Sequence, residues 1–304
     1  MTDLATRGSV DETSASASPV TAPPRWRRSR GLVAAVLAVL ALVTGAVLDV
    51  TQGNGQNTSA KDRIGANPPP ILFTDAAIAP TQAAIAGVRG PAHDLFAGWI
   101  AAHGTEKDDT AFAAWVADHF PPPPADLADQ MKVVTNLARQ RTRPGVAAAT
   151  WLETHGKKDV WKLYAHDQGE RLSSSRADAV KAEEKSALKL AKKLADSLGT
   201  RFGSSAPYVR QPSLRPDHHV TAGQRCPCSY PSRHAAAAAA SETLLGHLQP
   251  SMDGEYRHLE AEIAYSRVYM AGHFPTDITA GALLGDLVGD YLLVTREHVD
   301  PAGL

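Results

Sequence analysis

Two short segments hold the residues best suited to chemistry. The first, Cys228 to Glu242, reads CSYPSRHAAAAAASE. Ser232 stands where a helix N-cap belongs, directly before a run of alanines with the highest helix propensity. The unpaired N–H groups and positive dipole end of such a helix attract an anion, and His234 lies in that first turn. The second, Tyr265 to Gly281, reads YSRVYMAGHFPTDITAG. Gly272 is expected to end one helix and Pro275 to open the next, which puts His273 at the junction. Asp277 follows four residues later, the distance at which a carboxylate can hold an imidazole in one tautomer. Arg267 ends the preceding helix and can aim its guanidinium fork at the same space. Two histidines, a carboxylate, an arginine, a serine hydroxyl and a helix N-terminus together suit in-line phosphoryl transfer, in which charge on the equatorial oxygens must be neutralised.

The chain that must position these residues has 304 residues, 43% of them hydrophobic, enough for a sizeable core. Its 31 basic and 32 acidic residues leave a net charge of −1, which predicts no nucleic-acid partner. Abundant alanine and scarce period-two alternation favour an all-α fold. Cys226 and Cys228 are the only cysteines, so no disulfide framework supports the fold. A bridge between these two would constrain little chain, and buried thiols are an equal reading.

Four parts follow from composition. Residues 1–30 read as a disordered cytoplasmic tail, ending in the arginine-rich RWRRSR. Residues 31–48 carry no charge and, at about 1.5 Å per residue, approach the thickness of a bilayer. With arginines on the near side, this segment is expected to be a single transmembrane helix that leaves the rest outside the cytoplasm; a cleaved signal peptide is the rival. Residues 49–70 read as a polar linker and 71–304 as one helical domain. Within it, helices are expected near 91–103, 108–119, 125–141, 175–198, 233–247, 254–271 and 276–294. Residues 199–231 lack periodicity, the mark of a functional connection. Gly281, Gly285 and Gly289 recur every four residues, as close helix packing requires.

The motifs resemble those of the type 2 phosphatidic acid phosphatase superfamily. Its second motif, Pro-Ser-Gly-His, is matched by Pro231, Ser232, Arg233 and His234. Its third motif is matched without a gap by Ser266, Arg267, His273 and Asp277, and the wider strings are similar to those of bacterial class A acid phosphatases. The resemblance implies a helical bundle of the acid phosphatase and vanadium haloperoxidase type. It also implies a phosphoric monoester hydrolase acting on a lipid phosphate or a soluble phosphate ester. His273 would be the nucleophile forming a phosphohistidine, Asp277 would orient it, and His234 would protonate the leaving alkoxide and then activate water. Ser232, Arg233, Arg267, Arg215 and Arg210 would bind phosphate. No metal or other cofactor is implied, because arginines supply the positive charge; vanadate would inhibit.

Two departures stand out. Arg233 replaces the glycine of the second motif. The first motif, a lysine followed after six residues by Arg-Pro, is incomplete: Arg215-Pro216 is preceded at the lysine position by Tyr208, and the alternative register, Ala206-Pro207, lacks the arginine. Arg201, Arg210, Arg215 and Arg233 are the candidate replacements. The alternatives are a vanadium-dependent haloperoxidase, with vanadate as its cofactor, and an inactive phosphate-binding module. A metal cluster of His218, His219, Cys226, Cys228 and His234 fits no common zinc spacing.

Overall fold

Helices α1 (Ala60–Ala66), α2 (Asp75–Ala86), α3 (Arg89–His103), α4 (Asp109–His119), α5 (Ala128–Arg139) and α6 (Arg143–His155) come first in the computed structural model. They are followed by α7 (Asp159–Gly169), α8 (Ser174–Phe202), the short α9 (Pro207–Arg210), α10 (Arg233–Leu248), α11 (Asp253–Tyr269) and α12 (Pro275–Thr295). The structure describes residues 58–215 and 228–304, so the expected tail and apolar segment 31–48 lie outside the described residues, as do His218, His219 and Cys226. The described chain is all-α, with one isolated antiparallel bridge between Ser205 and Cys228.

Small residues decide the centre. A Cβ added at Gly281 would lie 2.5 Å from the carbonyl oxygen of Ser232, and one at Gly285 2.5 Å from both Ala236 O and Ala239 Cβ. At Gly289 it would meet Thr243 Cβ at 2.5 Å. The glycine ladder of α12 therefore lies directly on the alanine ladder of α10, as its spacing predicts. Two apolar cores flank this pair. On one side α3, α4 and α8 contribute Phe96, Trp99, Phe112 and Leu194, with Phe112 stacked on Tyr291 at 4.0 Å. On the other, Ile78, Val134, Ala149, Val268 and Phe274 come from α2, α5, α6, α11 and the start of α12. By length and composition α12 could cross a membrane, yet 94% of its apolar window is buried inside the protein, as befits a core helix.

Three sequence expectations need correction. Part of the expected linker is helical: Ser59 and Asp62 form a reciprocal capping box that starts α1, and Arg63 pairs with the buried Asp159 at 2.6 Å. The long helix α8 runs to Phe202, four residues beyond Leu198, before Gly203 closes it in the left-handed conformation (φ 62°). At the end of α11 the left-handed residue is Ala271 (φ 57°) rather than Gly272, whose N–H instead reaches back to Arg267 O at 3.0 Å.

Candidate active site

The ends of α6, α8, α10 and α11 and the loops beside them surround a cavity of about 500 Å³. Its lining includes Arg233 and His234 from the first turn of α10, Arg267 from the last turn of α11, and His273 from the junction with α12. Arg215 and Tyr208 enter from the connection after α8, and Glu153 from the last turn of α6. Both motif histidines thus face one space, although they stand 39 positions apart in the sequence, as the difference of their numbers gives. A hydrogen bond from Ser232 N to Asp277 O at 2.8 Å ties the two helix starts together.

His273 is held differently from its expected arrangement. Its Nδ1 lies 2.8 Å from the backbone carbonyl oxygen of Ser229 and 3.9 Å from the Asp277 carboxylate. A carbonyl can only accept, so Nδ1 carries the proton and Nε2 keeps its lone pair. Ser229 is itself fixed by its N–H, which donates to Ser204 O at 2.9 Å beside the Ser205–Cys228 bridge. Burial, followed by the charge of Arg267, lowers the His273 pKa to about 4, which keeps the ring neutral and nucleophilic.

Asp277 is a helix cap as well as a neighbour. Its Oδ2 accepts from Phe274 N at 2.8 Å. Burial raises its pKa to about 6, against the hydrogen bond from Phe274 N. Ser229, whose hydroxyl donates to Ser204 O at 3.4 Å, supplies the carbonyl that holds the imidazole.

His234 Nε2 sits 3.1 Å from the backbone carbonyl of Glu153, so in the neutral ring the Nε2 proton is engaged and Nδ1 is the acceptor. Burial, then the charge of Arg267, pushes its pKa well below the usual histidine range. A bound phosphate ester would oppose that shift through its negative charge.

The arginines divide. Arg267 is almost fully buried and triply anchored: Nη2 donates to Ala149 O at 2.8 Å, Nε to Ser266 Oγ at 3.1 Å, and Nη1 pairs with Glu153 Oε2 at 3.1 Å. Arg215 also reaches Glu153 Oε2, at 3.5 Å from Nη2, and its buried Nε has no hydrogen-bond partner among the described residues. Arg233 stands at the rim, 3.4 Å from Asp196, so the residue replacing the motif glycine adds a tethered cation to the wall. Arg210 lies elsewhere, with its guanidinium 5.5 Å from the Phe274 ring centroid and outside the cavity lining. Arg201 likewise turns to the carbonyl of Ala117. Ser232 does not line the cavity either: its hydroxyl accepts from Ala235 N at 3.4 Å as the N-cap of α10. Of the residues expected to bind phosphate, Arg215, Arg233 and Arg267 reach the cavity, whereas Arg210 and Ser232 do not. Cys228 is exposed and lines the cavity.

Glu153, the Ser229 carbonyl and Tyr208 were not among the expected site residues, Tyr208 having entered only as the mismatch in the first motif. A cavity with two imidazoles and converging guanidiniums beside a helix N-terminus is suited to an oxyanion. The family model described as PAP2 superfamily matches residues 197–297. The segment carrying α10, α11 and α12 is accordingly of the type 2 phosphatidic acid phosphatase superfamily. No curated protein matches the chain.

Proposed function

We propose that this protein is a phosphomonoesterase that works through a phosphohistidine on His273. The carrying observation is the 2.8 Å contact from His273 Nδ1 to the Ser229 carbonyl, which leaves Nε2 as a lone-pair donor in a cavity shared with Arg267, Arg215 and His234. In the first half-reaction Nε2 attacks phosphorus in line and the P–O bond to the alcohol breaks. The three equatorial oxygens rest against the guanidiniums of Arg267 and Arg215, with Arg233 at the rim. His234, charged once the dianion is bound, gives a proton to the leaving alkoxide. In the second half-reaction it takes a proton from water, which attacks phosphorus and releases orthophosphate and free His273. Positive charge for this chemistry comes from arginine, and no metal is required.

The substrate is a phosphomonoester, either a lipid phosphate or a small soluble ester. The full chain is expected to release phosphate from a generic aryl phosphate, and His273→Ala to lower the rate by at least about a thousandfold, as expected when a covalent nucleophile is lost. His234→Ala is expected to slow alkyl phosphates more than aryl phosphates, because only the poorer leaving group needs a proton. Equal slowing of both would remove His234 from the acid role.

The arginine-flanked apolar segment 31–48 supports a single-pass anchor with the catalytic domain outside the cytoplasm. Protease added to intact cells should then digest the catalytic domain while the chain fractionates with membranes. Protection of that domain until the cells are opened would reverse the topology.

A further inference from the structure

The proposed phosphate site already contains an anion. Arg267 and Arg215, reaching the cavity from different elements, converge on the same oxygen, Oε2 of Glu153, at 3.1 Å and 3.5 Å. The Glu153 side chain is 37% exposed, whereas those of Arg215 and Arg267 are 7% and 4% exposed. Both guanidiniums are therefore buried, Arg267 is held from behind, and the carboxylate is the most exposed member of the trio. Arg267 would keep its contacts to Ala149 O and Ser266 Oγ without it. Arg215 has a buried Nε donor that this carboxylate leaves unused. One carboxylate oxygen is a poorer match to two forks than a tetrahedral anion with several acceptor oxygens.

We propose, resting on the phosphatase reading, that Glu153 is an internal competitor for the phosphate site. Its carboxylate neutralises the arginine pair while the site is empty, moves aside when a phosphate ester enters, and returns to displace orthophosphate after hydrolysis. It acts through Arg267 and Arg215 and exchanges no bond with the substrate. Its backbone carbonyl, which holds His234 Nε2 at 3.1 Å, keeps that place whichever way the side chain turns. Glu153 thereby sets the affinity for product and the ease of its release. Asp196, the other carboxylate on the lining, pairs with Arg233 at the rim rather than with this pair.

The test is orthophosphate binding to the full chain by titration calorimetry, for wild type, Glu153→Gln and Glu153→Asp. Glutamine keeps the length of the side chain and removes its charge, so orthophosphate should bind at least tenfold tighter. Aspartate keeps the charge but is one methylene shorter, so it should also bind more tightly than wild type, by a smaller factor. A purely structural role for Glu153 predicts the reverse, because damage to the arginine scaffold weakens binding. Gln binding no tighter than wild type would overturn the inference while leaving the phosphate site intact. Aspartate behaving as wild type would also overturn it, in favour of a general field of one negative charge. No orthophosphate binding or phosphate release by any of the three proteins would remove the phosphate-site reading, and this inference with it.

Discussion

His273, His234, Arg267 and Glu153 show how much the surroundings of a residue alter its chemistry. The motif spacing made the two histidines and Arg267 legible, because side-chain types at fixed separations identify them. The partners that hold them were not legible. Ser229 acts on His273 through a backbone carbonyl, which any residue type could offer, and Glu153 lies 81 residues before the His234 that its carbonyl contacts. The same surroundings set a pH dependence. His273 is depressed to about 4 while its unfolded counterpart titrates near 6.5. The unfolded state binds the extra proton between those values, so this group's contribution is fully present above about pH 6.5 and is lost as pH falls through about 4. Asp277 acts in the opposite sense: with its pKa raised to about 6 from 3.8, its contribution is fully present below about 3.8 and is lost as pH rises through about 6. Nuclear magnetic resonance of ring-labelled histidine should place the His273 midpoint near 4 in the free protein. A midpoint near 6.5 would mean that the ring is solvated and not held as described.

At the scale of elements, the site depends on the ends of helices, and each end has its own cause. The start of α10 is fixed by the Ser232 cap and by the Ser232 N to Asp277 O hydrogen bond. The start of α12 is capped by Asp277. Helix α6 supplies the Ala149 carbonyl for Arg267 and both the carbonyl and the carboxylate of Glu153. The three C-terminal helices were legible to within two residues at each end because propensity, capping and the glycine ladder agree there. The role of α6 was not, since an apolar stripe bearing Trp151 and Leu152 gives no sign of which cavity its carbonyls will face. If Ser232 is a cap and not a phosphate ligand, Ser232→Ala should cost about 1 kcal/mol of stability in urea unfolding. Its orthophosphate affinity should then stay within about twofold of wild type, because the hydroxyl does not line the cavity. A loss of affinity comparable to that of Arg267→Ala would restore Ser232 to the ligand set.

At the scale of the whole molecule, two cores meet along the paired helices α10 and α12, and the cavity opens where the ends of that central pair and its neighbours meet. The all-α class followed from composition, whereas the packing of α3 to α8 around the pair depends on aromatic contacts between distant segments, such as Phe112 on Tyr291. A separate buried network on the same bundle pairs Arg89 with Glu242 and Glu260 and stands apart from the cavity lining. In the proposed reaction the bundle brings one neutral imidazole, with its Nδ1 proton engaged, against an oxyanion held by arginines. Rapid alkaline quenching of the full chain during turnover of a ³²P-labelled aryl phosphate, followed by peptide mapping, tests that claim most directly. The label should appear on Nε2 of His273 and vanish in His273→Ala. Label on Nδ1 of that ring or on a different residue, or turnover that survives the substitution, would contradict it.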